Sequence, residues 1–121
     1  DGSQQRSFCN VRDVGAAICT LMNCEQAFGQ AVNIGNTEVI TIKELAEFVG
    51  NEIGSTAGVR YLEMPVDRSD GKDIHSRTPR IDKINALTGW QPRVSWKTTV
   101  REVIGQVGES YEFASIKVMP L

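Results

Sequence analysis

The opening run DGSQQRSFCNVRDVGAAICTLM, residues 1–22, decides the fold class. A polar lead, Asp1 to Gln5, gives way to Arg6–Val11, in which Ser7, Cys9 and Val11 alternate with Phe8 and Asn10 at the period of a strand. The period then changes. Val14, Ala17, Ile18 and Leu21 recur at helical spacing as far as Met22, and Asp13 stands where a helix cap belongs. A strand that feeds directly into an amphipathic helix predicts a mixed α/β domain.

The rest of the chain extends that pattern. Asn23–Phe28 reads as a loop, and Gln30–Ile34 as a second strand closed by Gly35 and Asn36. Thr41 is the clearest helix start: its hydroxyl can cap the first backbone donors while Glu44 reaches back, ahead of the stripe Ile42, Leu45, Ala46 and Val49. Val59–Met64 reads as a third strand, stopped by Pro65. Val66–Ser76 is polar and without apolar period, a loop of the length that usually carries function or disorder. Pro79 suits the first turn of a helix bearing Ile81, Ile84 and Leu87, with Gly89 as its stop. After the corner Trp90-Gln91-Pro92, Ser95 caps a last helix with Val100, Val103, Ile104 and Val107. Gly105 and Gly108 weaken that helix by about 1 kcal/mol each relative to Ala. The expected organisation is one small domain over residues 1–111, with three strands and four helices. Residues 112–121 form a tail whose Phe113, Ile116, Val118 and Leu121 have no evident partner.

Composition narrows the function. The 121 residues carry 13 Lys+Arg against 15 Asp+Glu, a net charge of −2, so a basic nucleic-acid-binding face is not expected. No apolar run reaches the roughly 18 residues of a membrane span, and no charged-then-apolar leader opens the chain. Three Cys without a CxxC pair argue against a disulfide framework or a zinc site, and a reduced, cytoplasmic domain is the expectation. Neither a glycine-rich dinucleotide loop nor a P-loop occurs, and neither Tyr61 nor Tyr111 has a Lys four residues later. His75 reads as a solvated loop residue, and Cys9, Cys19 and Cys24 as structural thiols.

Two arginines stand apart. Arg6 opens a strand after the Asp1–Gln5 loop, and Arg77 closes the long polar loop just before Pro79. A guanidinium fork can grip a phosphate through two parallel hydrogen bonds, which a Lys cannot do. On spacing alone, both read first as solvated surface charges and second as an anion clamp.

Four stretches taken together resemble one family. Residues 1–14 are similar to the "DGSQxRSFxxVxD" segment of the extended short-chain dehydrogenases that act on nucleotide sugars, the NAD-dependent epimerase/dehydratase family. Val32-Asn33-Ile34-Gly35-Asn36 resembles its "xNIGN" strand and turn, and Thr41–Ala46 its "TIxELA". Ser76-Arg77-Thr78-Pro79 and Leu87-Thr88-Gly89-Trp90-Gln91-Pro92 look like "RRxPD…LLGWxP". The motifs follow the family's order from residue 1 to about residue 107.

The resemblance implies the C-terminal, substrate-binding part of such an enzyme. The N-terminal Rossmann domain, with its NAD loop and Tyr-x-x-x-Lys pair, is expected to be missing, so the piece alone should be inactive and hold no cofactor. In the complete enzyme NAD would oxidise the sugar at carbon 4, and the 4-keto sugar would then undergo decarboxylation, epimerisation or 4,6-dehydration. The resemblance carries phosphate contact over to Arg6, with Gln4 and Gln5 beside it as substrate-binding residues, and diphosphate or sugar contact over to Arg77. The run Gly71–Pro79 looks most like that of the bacterial UDP-glucuronate decarboxylases, which implies Arg77 as a proton donor. The implied ligand is a UDP- or dTDP-linked sugar. Departures from the pattern are Arg80 where Asp is common, Asn10 where an aromatic is usual, and Gly71 where a substrate-facing Tyr is expected.

Two rival readings remain at this level: a stand-alone nucleotide-sugar binding domain without catalysis, and a structural domain whose apolar tail drives self-association. With its first domain missing, the implied enzyme part would expose apolar surface and is expected to form homo-oligomers.

Overall fold

Three short strands and four helices make up the described residues, 1–62 and 74–110, of the computed structural model. Strand β1 (Gln5–Ser7) leads to helix α1 (Val11–Met22) and a 3-10 turn at Glu25–Ala27. Strand β2 (Val39–Thr41) runs into helix α2 (Ile42–Glu52); strand β3 (Ser76–Arg77), helix α3 (Asp82–Thr88) and helix α4 (Trp96–Ser110) follow. The sheet order is β2-β1-β3. The central β1 pairs antiparallel with β2, Arg6 opposite Ile40, and parallel with β3, Arg6 opposite Arg77. The mixed α/β expectation holds.

Local chemistry explains the helix ends. At α2, Glu44 N–H donates to Thr41 Oγ1 at 3.0 Å and Thr41 N–H donates to Glu44 Oε2 at 2.7 Å, the reciprocal capping box expected from the sequence. Those hydrogen bonds hold the Glu44 carboxyl below its usual range. Their stabilising contribution is therefore present above the ordinary carboxylate range and lost below it, as pH falls through the lowered folded-state pKa. Gly89 ends α3 with φ +71, a left-handed conformation that glycine adopts without penalty. Ser95 Oγ accepts from Thr98 N–H at 3.2 Å and caps α4 as expected.

The helices pack in two regions. Ala17, Ile84 and Trp90 are buried together, with Leu21, Val32, Ile34 and Ile81 packed around them. In the second region α2 meets α4, where the Phe48 and Trp96 rings stand edge to face at 4.9 Å. Arg101 closes this contact by gripping Glu52 through Nε (3.0 Å) and Nη2 (2.7 Å). Beside it, an apolar groove of about 410 Å³ runs along Phe8, Leu45, Val49, Val100, Ile104 and Val107. No helix among the described residues is long and apolar enough to cross a membrane.

Several expected elements are corrected. Residues 30–34 join no strand; Val32 and Ile34 alternate because both pack on the Ala17–Ile84–Trp90 core, and the second strand is Val39–Thr41 instead. Residues 59–62 also join no strand, while residues 63 and 64, the 66–73 part of the polar loop and the 112–121 tail lie outside the described residues. The first strand stops at Ser7 because the helix begins earlier than expected. Asn10, not Asp13, is its cap, accepting from Arg12 N–H at 2.9 Å. Helix α3 likewise starts at Asp82, three residues after Pro79.

Asp13 does different work. Its buried carboxylate accepts from the backbone N–H groups of Arg93 (3.0 Å) and Val94 (2.9 Å), and its carbonyl accepts from Trp90 Nε1 at 3.2 Å. Removing the carboxylate leaves two partly buried donors unpaired, at about 1–3 kcal/mol each. Asp13→Ala should therefore lower the unfolding free energy by about 2–4 kcal/mol in urea titrations. Thr41→Ala, which loses a single cap, should cost about 1 kcal/mol.

Candidate functional site

The parallel register of β1 and β3 sets Arg6 directly beside Arg77, strands being about 4.8 Å apart. Like charges opposite one another on neighbouring strands destabilise a sheet. Here they open onto a cleft of about 520 Å³ at the β3 edge, whose lining also includes Cys9, Asn33, Gly35 and Arg80. The two sequence-predicted arginines, 71 residues apart in the chain, are thus brought together.

Each is held differently. Arg6 is half-buried, and its Nη1 donates to the carbonyls of Gln5 (2.7 Å) and Ile74 (2.9 Å), which ties the approach to β3 onto β1. Gln5 N–H adds a 2.7 Å bond to the carbonyl of His75. Arg77 is exposed. Its side chain makes no hydrogen bond or ion pair among the described residues. One guanidinium is fixed to the scaffold and the other faces water.

Gln4 and Gln5 do not line this cleft. Their backbone serves the scaffold, the Gln4 carbonyl accepting from Ile42 N–H at 3.0 Å at the start of α2. The facing wall comes from residues 33–36. Gly35 is buried against Pro79, where a Cβ would meet Pro79 Cγ at 2.6 Å, so a side chain here would push the 76–80 segment outward. Asn36 Nδ2 donates to the Val94 carbonyl at 3.3 Å and its Oδ1 accepts from Glu38 N–H at 2.9 Å.

Two departures from the expected pattern find their reasons. Asn10 is buried and faces away from the cleft, its amide donating to Glu102 Oε2 (2.8 Å) and Thr99 Oγ1 (3.3 Å) of α4. Arg80 lies beside Asp82, Nε to Oδ2 at 3.4 Å, so the acid absent at position 80 stands two residues on. Gly71 lies outside the described residues. Cys9, read from the sequence as merely structural, is a cleft wall. Burial first, and the nearby Asp13 charge second, push its thiol above the usual range.

A dinucleotide would need a glycine-rich turn from a strand into a free helix N-terminus. At α1, α2 and α4 the chain's own Asn10, Thr41 and Ser95 occupy that position. Among the described residues no glycine-rich turn of that kind leads from a strand into a helix. No group of three or more metal-ligating side chains clusters among the described residues.

No protein-family model matches the chain. Against curated proteins it is 36% identical over 93 residues to UDP-glucuronic acid decarboxylase 6 of Arabidopsis thaliana, covering 77% of this chain and 25% of that protein. It is 32% identical over 103 residues to UDP-glucuronic acid decarboxylase 1 of Danio rerio, covering 85% and 23%. The chain thus spans about a quarter of the length of the curated relatives it matches. Among solved structures, the epimerase Mth375 of Methanothermobacter thermautotrophicus superposes with a TM-score of 0.77 at 22% identity, covering 91% of this chain and 32% of that one. A Y149F mutant of UDP-glucuronic acid 4-epimerase from Bacillus cereus, in complex with UDP-4-deoxy-4-fluoro-glucuronic acid and NAD, gives 0.77 at 20% identity, covering 92% and 34%. The chain thus has the fold of about a third of each of these epimerases.

The thiols report on the cleft. Iodoacetamide at pH 8 should alkylate the exposed Cys19 well before Cys9, by peptide mass spectrometry, and the Cys9 rate should climb only at pH above the ordinary thiol range. Equal rates at pH 8 would contradict the raised Cys9 pKa.

Proposed function

Since this chain is homologous to part of the UDP-glucuronic acid decarboxylases and of the NAD-dependent nucleotide-sugar epimerases and dehydratases, we propose that it is the substrate-binding portion of such an enzyme. The observation that carries the reading is the parallel pairing of Arg6 with Arg77 at one open cleft. Two guanidinium groups side by side offer parallel donors to one anion lying between them. A nucleotide sugar brings a diphosphate of about two negative charges, which two forks can share.

Binding chemistry follows from how each arginine is held. Arg6, already tied to the carbonyls of Gln5 and Ile74, meets the diphosphate from a fixed direction. Arg77 comes to it from water and loses side-chain freedom in doing so. The hydrogen bonds so made are charge-assisted, each worth about 1.5–3 kcal/mol. In the decarboxylating branch of this reading, Arg77 is also the group that returns a proton to the carbon losing its carboxylate, its open side being recharged from solvent. Gln4 and Gln5 support the site through the backbone that positions Arg6.

In an enzyme of this kind NAD, when bound, would supply the oxidation at carbon 4 that makes the later bond-breaking feasible. The part of the work that falls to this chain is to hold the sugar nucleotide in register with that chemistry. Epimerase, decarboxylase and dehydratase outcomes share this demand.

Arg6→Ala and Arg77→Ala, made in the protein as its host produces it, should each raise KM or lower kcat by about tenfold or more. That is the loss of about one charged hydrogen bond. UDP should protect Cys9 from alkylation in the wild type and not in Arg6→Ala. Kinetics within twofold of wild type for both variants would refute the clamp.

A further inference from the structure

The described lining of the cleft holds three guanidinium groups, Arg6, Arg77 and Arg80, and no carboxylate. A diphosphate answers two of them. The third is built in with a fixed root and a loose end. Its root is set by Pro79, packed into the space Gly35 leaves open, and by Asn33 Nδ2 donating to the Arg80 carbonyl at 3.4 Å. Its end reaches Asp82 through a single long contact of 3.4 Å, both side chains open to water at 89% and 79% exposure. Such a pair is weak and exchanges readily with solvent. Arg80 is therefore anchored at the rim of a cationic cleft while its fork rests on a carboxylate it can release at little cost.

We propose that Arg80 is the specificity-determining arm of the cleft: its guanidinium leaves the Asp82 carboxylate for a carboxylate on the sugar and so selects acidic over neutral nucleotide sugars. The inference rests on the reading of Arg6 and Arg77 as the diphosphate clamp. A carboxylate fits better than a further phosphate because the exchange is of like for like. The planar fork leaves one planar carboxylate for another, and the released Asp82 returns to water as the first residue of α3, where a negative charge is favoured. A neutral sugar offers nothing to displace Asp82, so Arg80 stays where it is.

The test measures dissociation constants of UDP-glucuronic acid and UDP-glucose by calorimetry, on the protein as its host makes it. The wild type should prefer the acidic sugar. Arg80→Ala should cut that preference about tenfold, roughly one charge-assisted contact, while UDP-glucose binding stays within about twofold. Arg80→Lys should keep part of the preference, and Asp82→Asn should strengthen binding of the acidic sugar by releasing the arm. Arg6→Ala and Arg77→Ala should weaken both ligands alike. If Arg80→Ala weakens both ligands equally or neither, or if the wild type shows no preference, Arg80 is not the selector, and the clamp stands as long as Arg6→Ala and Arg77→Ala still weaken both. If those two variants leave both constants unchanged, the clamp fails and the selector with it.

Discussion

The Asp13 carboxylate accepts two backbone N–H groups from the 93–94 corner, 80 and 81 residues away in the chain, and the packing of that corner on α1 depends on it. A charge taken out of water is costly unless it is paired or fully hydrogen-bonded. The corner is therefore held against the first turn of α1, and Trp90 is drawn over Ala17 with its indole N–H on the Asp13 carbonyl. Asn10, one turn earlier, adds the second tie by joining the start of α1 to Thr99 and Glu102 of α4. Arg12 pairs with the same Glu102. Helices far apart in sequence are thus fastened at the end of α1 that emerges from β1, the strand on which Arg6 stands.

The sheet itself is too short to be stable alone, since each strand has only two or three residues. Its value is positional. A parallel pairing between β1 and β3 can form only because the long connection through α1 and α2 brings residue 76 back alongside residue 5. Arg6 then closes the pairing by donating to the Ile74 carbonyl, so the residue proposed to bind anion also fixes the strand that carries its partner. Gly35 and Pro79 set the width of the cleft from the other side. Backbone contacts fix where the charges stand, and the exposed side chain of Arg77 meets a ligand from the open edge.

What could be read from the sequence was local chemistry. The capping box at Thr41, the Gly89 stop and the Ser95 cap depend on residues within four positions of one another, and each was visible. So were Arg6 and Arg77 as individuals, though only the fold shows them paired. Asp13 and Asn10 are both good caps; Asn10 takes the role because Asp13 is claimed by residues 93 and 94, and a local pattern cannot register that competition. Val32 and Ile34 alternate like a strand because one face is buried, yet strand pairing is decided by a partner elsewhere. Arg80 carries no local signal for the same reason: its spacing from Arg77 says little until Pro79 packs against Gly35 and both arginines line one cleft.

Net charge misleads at this scale. The chain is acidic overall, at −2, and that value argues against a broad basic face. Electrostatic influence at physiological salt fades over about 8 Å, so what a ligand meets is the charge inside that radius and not the sum. Three of the 13 basic residues fall on one cleft whose described lining carries no acid, while others are neutralised where they stand, Arg12 by Glu102 and Arg101 by Glu52. Acids thus offset cations that hold the scaffold together, while Arg77 stands exposed at the cleft. A protein of modest negative charge can in this way gather three arginines at one cleft, where an anionic ligand competes with the weakly held carboxylate of Asp82 for Arg80.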